Sequence, residues 1–170
     1  MFSITRITRK TGRSGPARQP GALSSGTAGS RWFTAGNYDY YAFPGGGIDR
    51  DESGKDALIR EVREETGLEV IPDSIKEYGL IVRKEKGAID DLFIQENYYY
   101  LCDVSDHMHQ QELSGYEIDE DYELCWMDPE AAVRANLEHP HGKLSGEEWA
   151  GHLFRRVEAL IGKLKAEGLL

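Results

Sequence analysis

The chain has 170 residues, which is long enough for a single domain with a substantial core. Its formal net charge is −10, yet residues 1–38 carry six basic side chains and no acidic one, so every acid lies in the remainder. Because an acidic body repels phosphate backbones at long range, binding to extended nucleic acid is not expected. No run of about 18 apolar residues occurs, so a membrane-spanning segment is not expected either.

Residues 1–30 consist largely of Gly, Ser, Arg, Thr and Pro with scattered apolar residues. Such a composition buries too little surface to offset its ordering entropy, so we expect a disordered or atypical extension over 1–30 and one domain over 31–170. The Arg-rich, acid-free segment also suits an organellar transit peptide, which is the alternative to a cytoplasmic location. Cys102 and Cys125 lie in separate apolar runs and are expected to be reduced thiols on strands.

The first predicted strand is the aromatic run 38–43, which stops at Pro44 and is followed by the glycine loop 45–47. A helix is predicted over 54–66, because Ser53 suits an N-cap and Gly67 suits the position after the helix. Further strands are predicted beyond this helix, over 68–71, 79–83 and 92–104.

A last strand is predicted over 124–127, and Asp128 with Pro129 marks the start of a helix over 130–137. Ser145 begins a second capping signature, after which apolar residues recur at helical spacing as far as Leu164. This final helix is expected to pack on the core. The strands and helices together predict an α+β fold.

Three carboxylates share one face of the helix predicted over 54–66. Glu61, Glu64 and Glu65 are three or four positions apart or adjacent, and their like charges weaken an isolated helix unless a cation binds them. Oxygen ligands suit the hard ions Mg²⁺, Mn²⁺ and Ca²⁺. The alternative is a solvated face on which Arg60 and Arg63 are the ion-pair partners.

Residues 46–68 resemble the Nudix box at every specified position, with the family's spacing. The matching residues are Gly46, Glu52, Arg60, Glu61, Val62, Glu64, Glu65, Gly67 and Leu68. The resemblance to the family extends over about residues 38–132, and this region is similar to a bacterial branch of the family. It implies the Nudix fold, in which a mixed β-sheet is sandwiched between α-helices and the box forms a loop, a helix and a loop.

The resemblance implies a Mg²⁺- or Mn²⁺-dependent pyrophosphatase, which hydrolyses a diphosphate bond in a nucleoside diphosphate linked to another moiety. The expected partner is thus a small nucleotide-like substrate. Two alternatives stay open on the same fold: a nucleotide-binding regulator without turnover, and an isomerase of a diphosphate substrate.

The resemblance also implies roles for individual residues. Glu61, Glu64, Glu65 and the backbone of Gly45 are the expected metal ligands, and Glu52 and Gly46 the expected structural support. The expected catalytic residues are Arg60, Glu61, Glu64 and Glu120. Glu120 stands for the further glutamate that family members often take from a late loop, and Glu117 is its neighbouring candidate.

The chain departs from the family pattern before the aromatic strand, where one or two apolar strands are normal and 1–30 offers none. A smaller sheet, another strand, a partner chain in a homodimer or an abnormal translation of the N-terminus would each account for this. The proline typical of ADP-ribose hydrolases would fall at Arg83, so the substrate and its binding residues stay open. His107, His109, His139 and His141 are expected to be solvated.

Overall fold

The structure, a computed structural model, describes residues 2–11, 23–25, 30–35, 38–86, 92–139, 141 and 148–170. Its strands are β1 Phe2–Thr11, β2 Leu23–Ser25, β3 Ser30–Ala35, β4 Tyr40–Ala42, β5 Leu68–Val70, β6 Lys76–Lys86, β7 Leu92–Cys102, β8 Val104–Met108 and β9 Tyr122–Met127. Its helices are α1 Gly54–Thr66, α2 Tyr116–Asp119, α3 Pro129–Glu138 and α4 Glu148–Ala166, with a 3-10 turn at Pro72–Ser74.

The described strands form three sheets, and β7 is an inner strand of the largest one. A four-stranded sheet has the order β2-β1-β7-β6, a three-stranded one the order β4-β3-β9, and β5 pairs with β8. Every pairing among the described residues is antiparallel. Alternate side chains of a strand point to opposite faces, so β7 contributes to two cores.

Helices cover both faces of β7. Tyr99 joins a cluster with β4, α3 and α4, whereas Tyr100 and Cys102 join a second cluster with α1, β5 and β8. The α+β prediction, with a sheet between helices, is therefore confirmed. The parallel pairing that a mixed sheet requires is not found among the described strands, whose pairs are all antiparallel. None of the described helices is long and apolar enough to cross a membrane.

The N-terminal residues differ from the expectation of an irregular extension. The backbone of β1 pairs with β7 from Ser3 opposite Cys102 to Thr11 opposite Ile94. Its β-branched residues favour a strand, a local signal that the polar composition of 1–30 obscured. Residues 1, 12–22 and 26–29 lie outside the described part, so the boundary at residue 30 stays a prediction, as does the homodimer.

The helices predicted from capping signals are confirmed. Ser53 caps α1 by accepting the N–H of Asp56 at 3.2 Å, and Asp128 caps α3 by accepting that of Ala131 at 2.9 Å. Helix α4 buries a stripe that includes Leu153, Val157, Leu160, Ile161 and Leu164, as expected of a core helix. Ser145, the predicted cap of α4, lies outside the described residues.

His141 is buried, so the expectation of a solvated side chain is wrong for it. Its Nδ1 lies 3.0 Å from the carbonyl oxygen of Tyr38 and its Nε2 lies 2.9 Å from that of Asn136. The ring also packs on Phe154, with centroids 4.5 Å apart. These contacts come from three separate segments, which is why a loop-like local sequence did not reveal them.

The two cysteines are free thiols on strands, as expected. Cys102 is buried on β7 and Cys125 is half-buried on β9.

Candidate active site

Helix α1 is fixed at both ends by its own sequence. Beyond the Ser53 cap, Gly67 adopts φ 70° and donates its N–H to the carbonyl of Arg63 at 2.8 Å. A Cβ at Gly67 would lie 2.1 Å from the carbonyl oxygen of His109, so glycine is required both for conformation and for space. Residues within the box therefore set where α1 begins and ends.

Two of the three glutamates on α1 are buried rather than solvated. Glu61 is 6% exposed and Glu65 1%, beside the fully covered Leu58 and Val62, whereas Glu64 lies at the margin. Burying a carboxylate without a partner costs roughly several kcal/mol. A helix selected only for stability would therefore not carry buried glutamates at positions 61 and 65. The solvated-face alternative thus fails for Glu61 and Glu65.

Arg60 links the acidic residues of the box. Its Nε and one Nη contact the two oxygens of Glu52, each at 2.9 Å, and that Nη also donates to the carbonyl of Gly47 at 2.9 Å. Its other Nη contacts Glu61 at 2.8 Å and Glu64 at 3.2 Å. The guanidinium therefore lies between carboxylates that would otherwise repel one another.

The glycine loop closes over the buried end of this cluster. The N–H of Gly45, at φ 144°, donates to Glu65 at 2.7 Å. A Cβ at Gly46 would lie only 2.0 Å from a carboxylate oxygen of Glu61, so the bare backbone leaves room for that group. Glu52 joins the loop to the helix, because it also accepts the N–H of Asp49 at 3.0 Å.

The burial of this cluster changes its protonation. Burial raises the pKa of Glu61 to about 7 against the opposing effect of Arg60, and the charges of Glu64 and Glu117 add to the rise. Hydrogen bonding from Arg60 lowers the pKa of Glu52, while the pKa of Arg60 is raised chiefly by Glu52. Glu61 can therefore exchange a proton near neutral pH, and Glu52 stays ionised.

The two late glutamates have different surroundings. Glu117, on α2, is close enough to α1 that the charge of Glu64 adds to the effect of burial in raising its pKa. It accepts hydrogen bonds from the N–H of Ser114 at 2.8 Å and from its hydroxyl at 3.4 Å. Glu120 is 3% exposed and accepts the hydroxyl of Tyr40 at 2.9 Å. Electrostatic coupling therefore links Glu117 to Glu61 and Glu64, whereas Glu120 accepts the hydroxyl of Tyr40.

Among the described residues, no three His, Cys, Asp or Glu side chains are arranged around one ion position. Arg60 stands between Glu61 and Glu64, and Glu65 faces the N–H of Gly45. The chemistry of the donor set nevertheless fits a hard divalent cation, since it consists of carboxylate oxygens, and the missing Cβ at Gly46 lets the Glu61 carboxylate lie against the glycine loop.

The chain matches the model of the NUDIX domain over residues 22–147, which is most of its length. The chain belongs to the Nudix family. No curated protein matches it. The Nudix match confirms the resemblance found in residues 46–68 and assigns the chain to a family of hydrolases that act on nucleoside diphosphates linked to other groups. Nudix enzymes generally use divalent metals such as Mg²⁺ or Mn²⁺.

The sequence left the substrate-binding residues open. Arg83, where the proline of ADP-ribose hydrolases would fall, already has partners within the fold. Arg83 contacts Glu85 at 2.6 Å, and its guanidinium lies 5.7 Å from the centre of the Phe93 ring. The contact between Tyr40 and Glu120 was also missed, because the two residues are 80 positions apart and neither local sequence indicates the other.

Proposed function

We propose that this Nudix protein is a metal-dependent pyrophosphatase, which cleaves the diphosphate bond of a small substrate consisting of a nucleoside diphosphate linked to another moiety. The observation that carries the proposal is the burial of Glu61 and Glu65 beside the glycine loop, with Glu64 at the margin. Carboxylates in that position destabilise the fold unless they bind positive charge, and a phosphate-binding site requires such charge.

Glu61, Glu64 and Glu65, with the backbone carbonyl of Gly45, would hold Mg²⁺ or Mn²⁺. Such an ion neutralises charge on phosphate oxygens and lowers the pKa of a water. Arg60 orients Glu61 and Glu64 through its contacts at 2.8 and 3.2 Å. Glu52 holds Arg60 in turn, so the geometry of the carboxylates is set before substrate arrives.

We assign the role of general base to Glu117 instead of Glu120. Burial raises the pKa of Glu117, which makes its carboxylate a better proton acceptor, and its charge interacts with those of Glu61 and Glu64. Glu120 is engaged with Tyr40. In this arrangement Glu117 accepts the proton of the attacking water, and the oxygen of that water forms the new bond to phosphorus while the other phosphate leaves.

The test is hydrolysis across a panel of nucleoside diphosphates linked to sugars, nucleosides or other groups, with Mg²⁺ or Mn²⁺ present. Glu64→Gln is expected to lower kcat on the order of 100-fold, because a neutral amide stabilises less positive charge. Glu69→Gln is the matched control, since Glu69 is exposed on β5, where it accepts the Ser105 hydroxyl at 3.1 Å.

Three other outcomes would change the assignment. Unchanged turnover in Glu64→Gln would remove α1 from the chemistry. Tight nucleotide binding without any product would favour the regulator. A product that has the mass of the substrate would favour the isomerase.

A further inference from the structure

Two tyrosines and one glutamate form a buried chain beside the candidate active site. The Tyr40 hydroxyl contacts Glu120 at 2.9 Å and the Tyr122 hydroxyl at 2.8 Å, and all three residues are at most 3% exposed. Tyr40 donates its single hydroxyl proton to Glu120, so the Tyr122 hydroxyl donates to Tyr40. Burial raises the pKa of both tyrosines well above the usual value, and both therefore remain donors.

This hydrogen-bonded chain joins β4 to a segment some 80 residues later that runs from α2 into β9. Tyr40 opens β4, which runs into the glycine loop; Glu120 directly follows α2; and Tyr122 opens β9. Glu117 is three residues before Glu120, so the two carboxylates are neighbours on a single turn. Glu120 accepts the Tyr40 hydroxyl, whereas Glu117 is close enough to α1 for its charge to interact with Glu61 and Glu64.

Helix α2 needs such an anchor because it cannot hold itself in place. It has four residues, and an isolated turn of helix is unstable in water. Gly115 before it and Asp121 after it both have positive φ, at 52° and 54°, so the chain bends sharply on either side. The position of Glu117 must therefore be set by contacts that α2 makes with the rest of the fold.

We propose that the hydrogen bond from Tyr40 to Glu120 positions Glu117 for catalysis, making Tyr40 and Glu120 positioning residues. This inference rests on the proposed function, in which Glu117 is the general base. The bond ties α2 to the strand that leads into the glycine loop, so that Glu117 and the loop keep a fixed relation. Loss of the bond lets the turn shift and moves the base away from the attacking water.

The first experiment combines turnover with hydrogen exchange in Tyr40→Phe. We expect kcat to fall about tenfold to 100-fold with little change in KM, since a small displacement of a catalytic group has effects of that size. Backbone amides of residues 116–120 should exchange faster, while those of α1 remain unchanged. Tyr78→Phe is the control, because it removes another tyrosine–glutamate hydrogen bond, 2.8 Å to Glu167, which directly follows α4.

A second set of variants tests whether the effect of Tyr40→Phe on kcat passes through Glu117. In a Glu117→Gln background, Tyr40→Phe should lower kcat less than twofold further, roughly the limit of measurement, because the base is already absent. Glu120→Gln should retain most of the rate, since its amide oxygen still accepts from Tyr40, whereas Glu120→Ala should not. If Glu120 were itself the base, Glu120→Gln would abolish turnover.

The outcomes separate this inference from the function on which it rests. Unchanged exchange over residues 116–120 in Tyr40→Phe would overturn the anchor, as would faster exchange with an unchanged kcat. An equal loss of rate from Tyr40→Phe with and without Glu117 would also overturn it. Absence of hydrolysis by the wild-type protein would instead overturn the proposed function, and is seen before any variant is compared.

Discussion

Helices α1 and α4 lie on opposite sides of β7 and bury different chemistry. Helix α4 covers its face of the sheet with apolar side chains such as Leu153 and Val157. Helix α1 also buries Leu58 and Val62, but it places Glu61 and Glu65 beside them at 6% and 1% exposure. The difference indicates that α4 contributes to stability, whereas α1 buries two carboxylates at a cost in stability, which fits the metal-binding role proposed for them.

The largest expected effect comes from Glu61→Gln, which should lower kcat on the order of 100-fold or more. The same variant should not lower the free energy of unfolding of the metal-free protein at pH 8, because burial outweighs Arg60 in raising the pKa of Glu61 to about 7. Steady-state kinetics and denaturant unfolding measure both. A variant that unfolds more easily but keeps its rate would reverse the interpretation of α1.

The opposite result is expected on α4. Leu153→Ala removes a side chain that is 2% exposed, so the free energy of unfolding should fall by about 2–5 kcal/mol. At a temperature where the variant stays folded, its kcat should match that of the wild type. A selective loss of rate without a loss of stability would show that α4 also takes part in the site.

Gly46→Ala tests the α1 side of this comparison, because Gly46 lies in the glycine loop against Glu61. The added Cβ would lie 2.0 Å from the Glu61 carboxylate and must displace it, so affinity for Mg²⁺ or Mn²⁺ should fall about tenfold. Titration calorimetry with the metal alone measures this. Gly79→Ala is the control, since a Cβ there meets nothing within 4 Å among the described residues, and equal affinities in the two variants would contradict the assignment.

The smallest expected effect is on pH dependence. In the metal-free protein the unfolded chain loses the Glu61 proton near pH 4.5, whereas the folded protein keeps it to about pH 7. The folded state therefore binds more protons in this window, and the free energy of unfolding should decrease as pH rises through it. Glu117, whose pKa is also raised by burial, acts in the same direction.

Unfolding curves at several pH values test whether the free energy of unfolding decreases as the pH rises. Glu61→Gln should reduce the decrease between about pH 4.5 and 7 without removing it, since Glu117 still contributes. The exposed control Glu69→Gln should follow the wild type. The same slope in Glu61→Gln as in the wild type would mean that Glu61 is not the group responsible.

Much of the fold was predictable where the signal was local. Capping residues located α1 and α3 because a side-chain cap acts within three positions of the helix start. Strand β1 was missed, since its residues were judged within a Gly- and Ser-rich segment and its pairing with β7 spans most of the chain. His141 was misjudged for the same reason, because its partners include Tyr38, 103 residues away.

The sequence by itself determined the family and the acidic face of α1, because the box lies within 23 consecutive residues and a helix converts spacing directly into proximity. Only the tertiary structure decided that Glu61 and Glu65 are buried, and that Glu120 accepts the hydroxyl of Tyr40. Burial and contacts between distant segments depend on how the whole chain packs, and no local pattern records them.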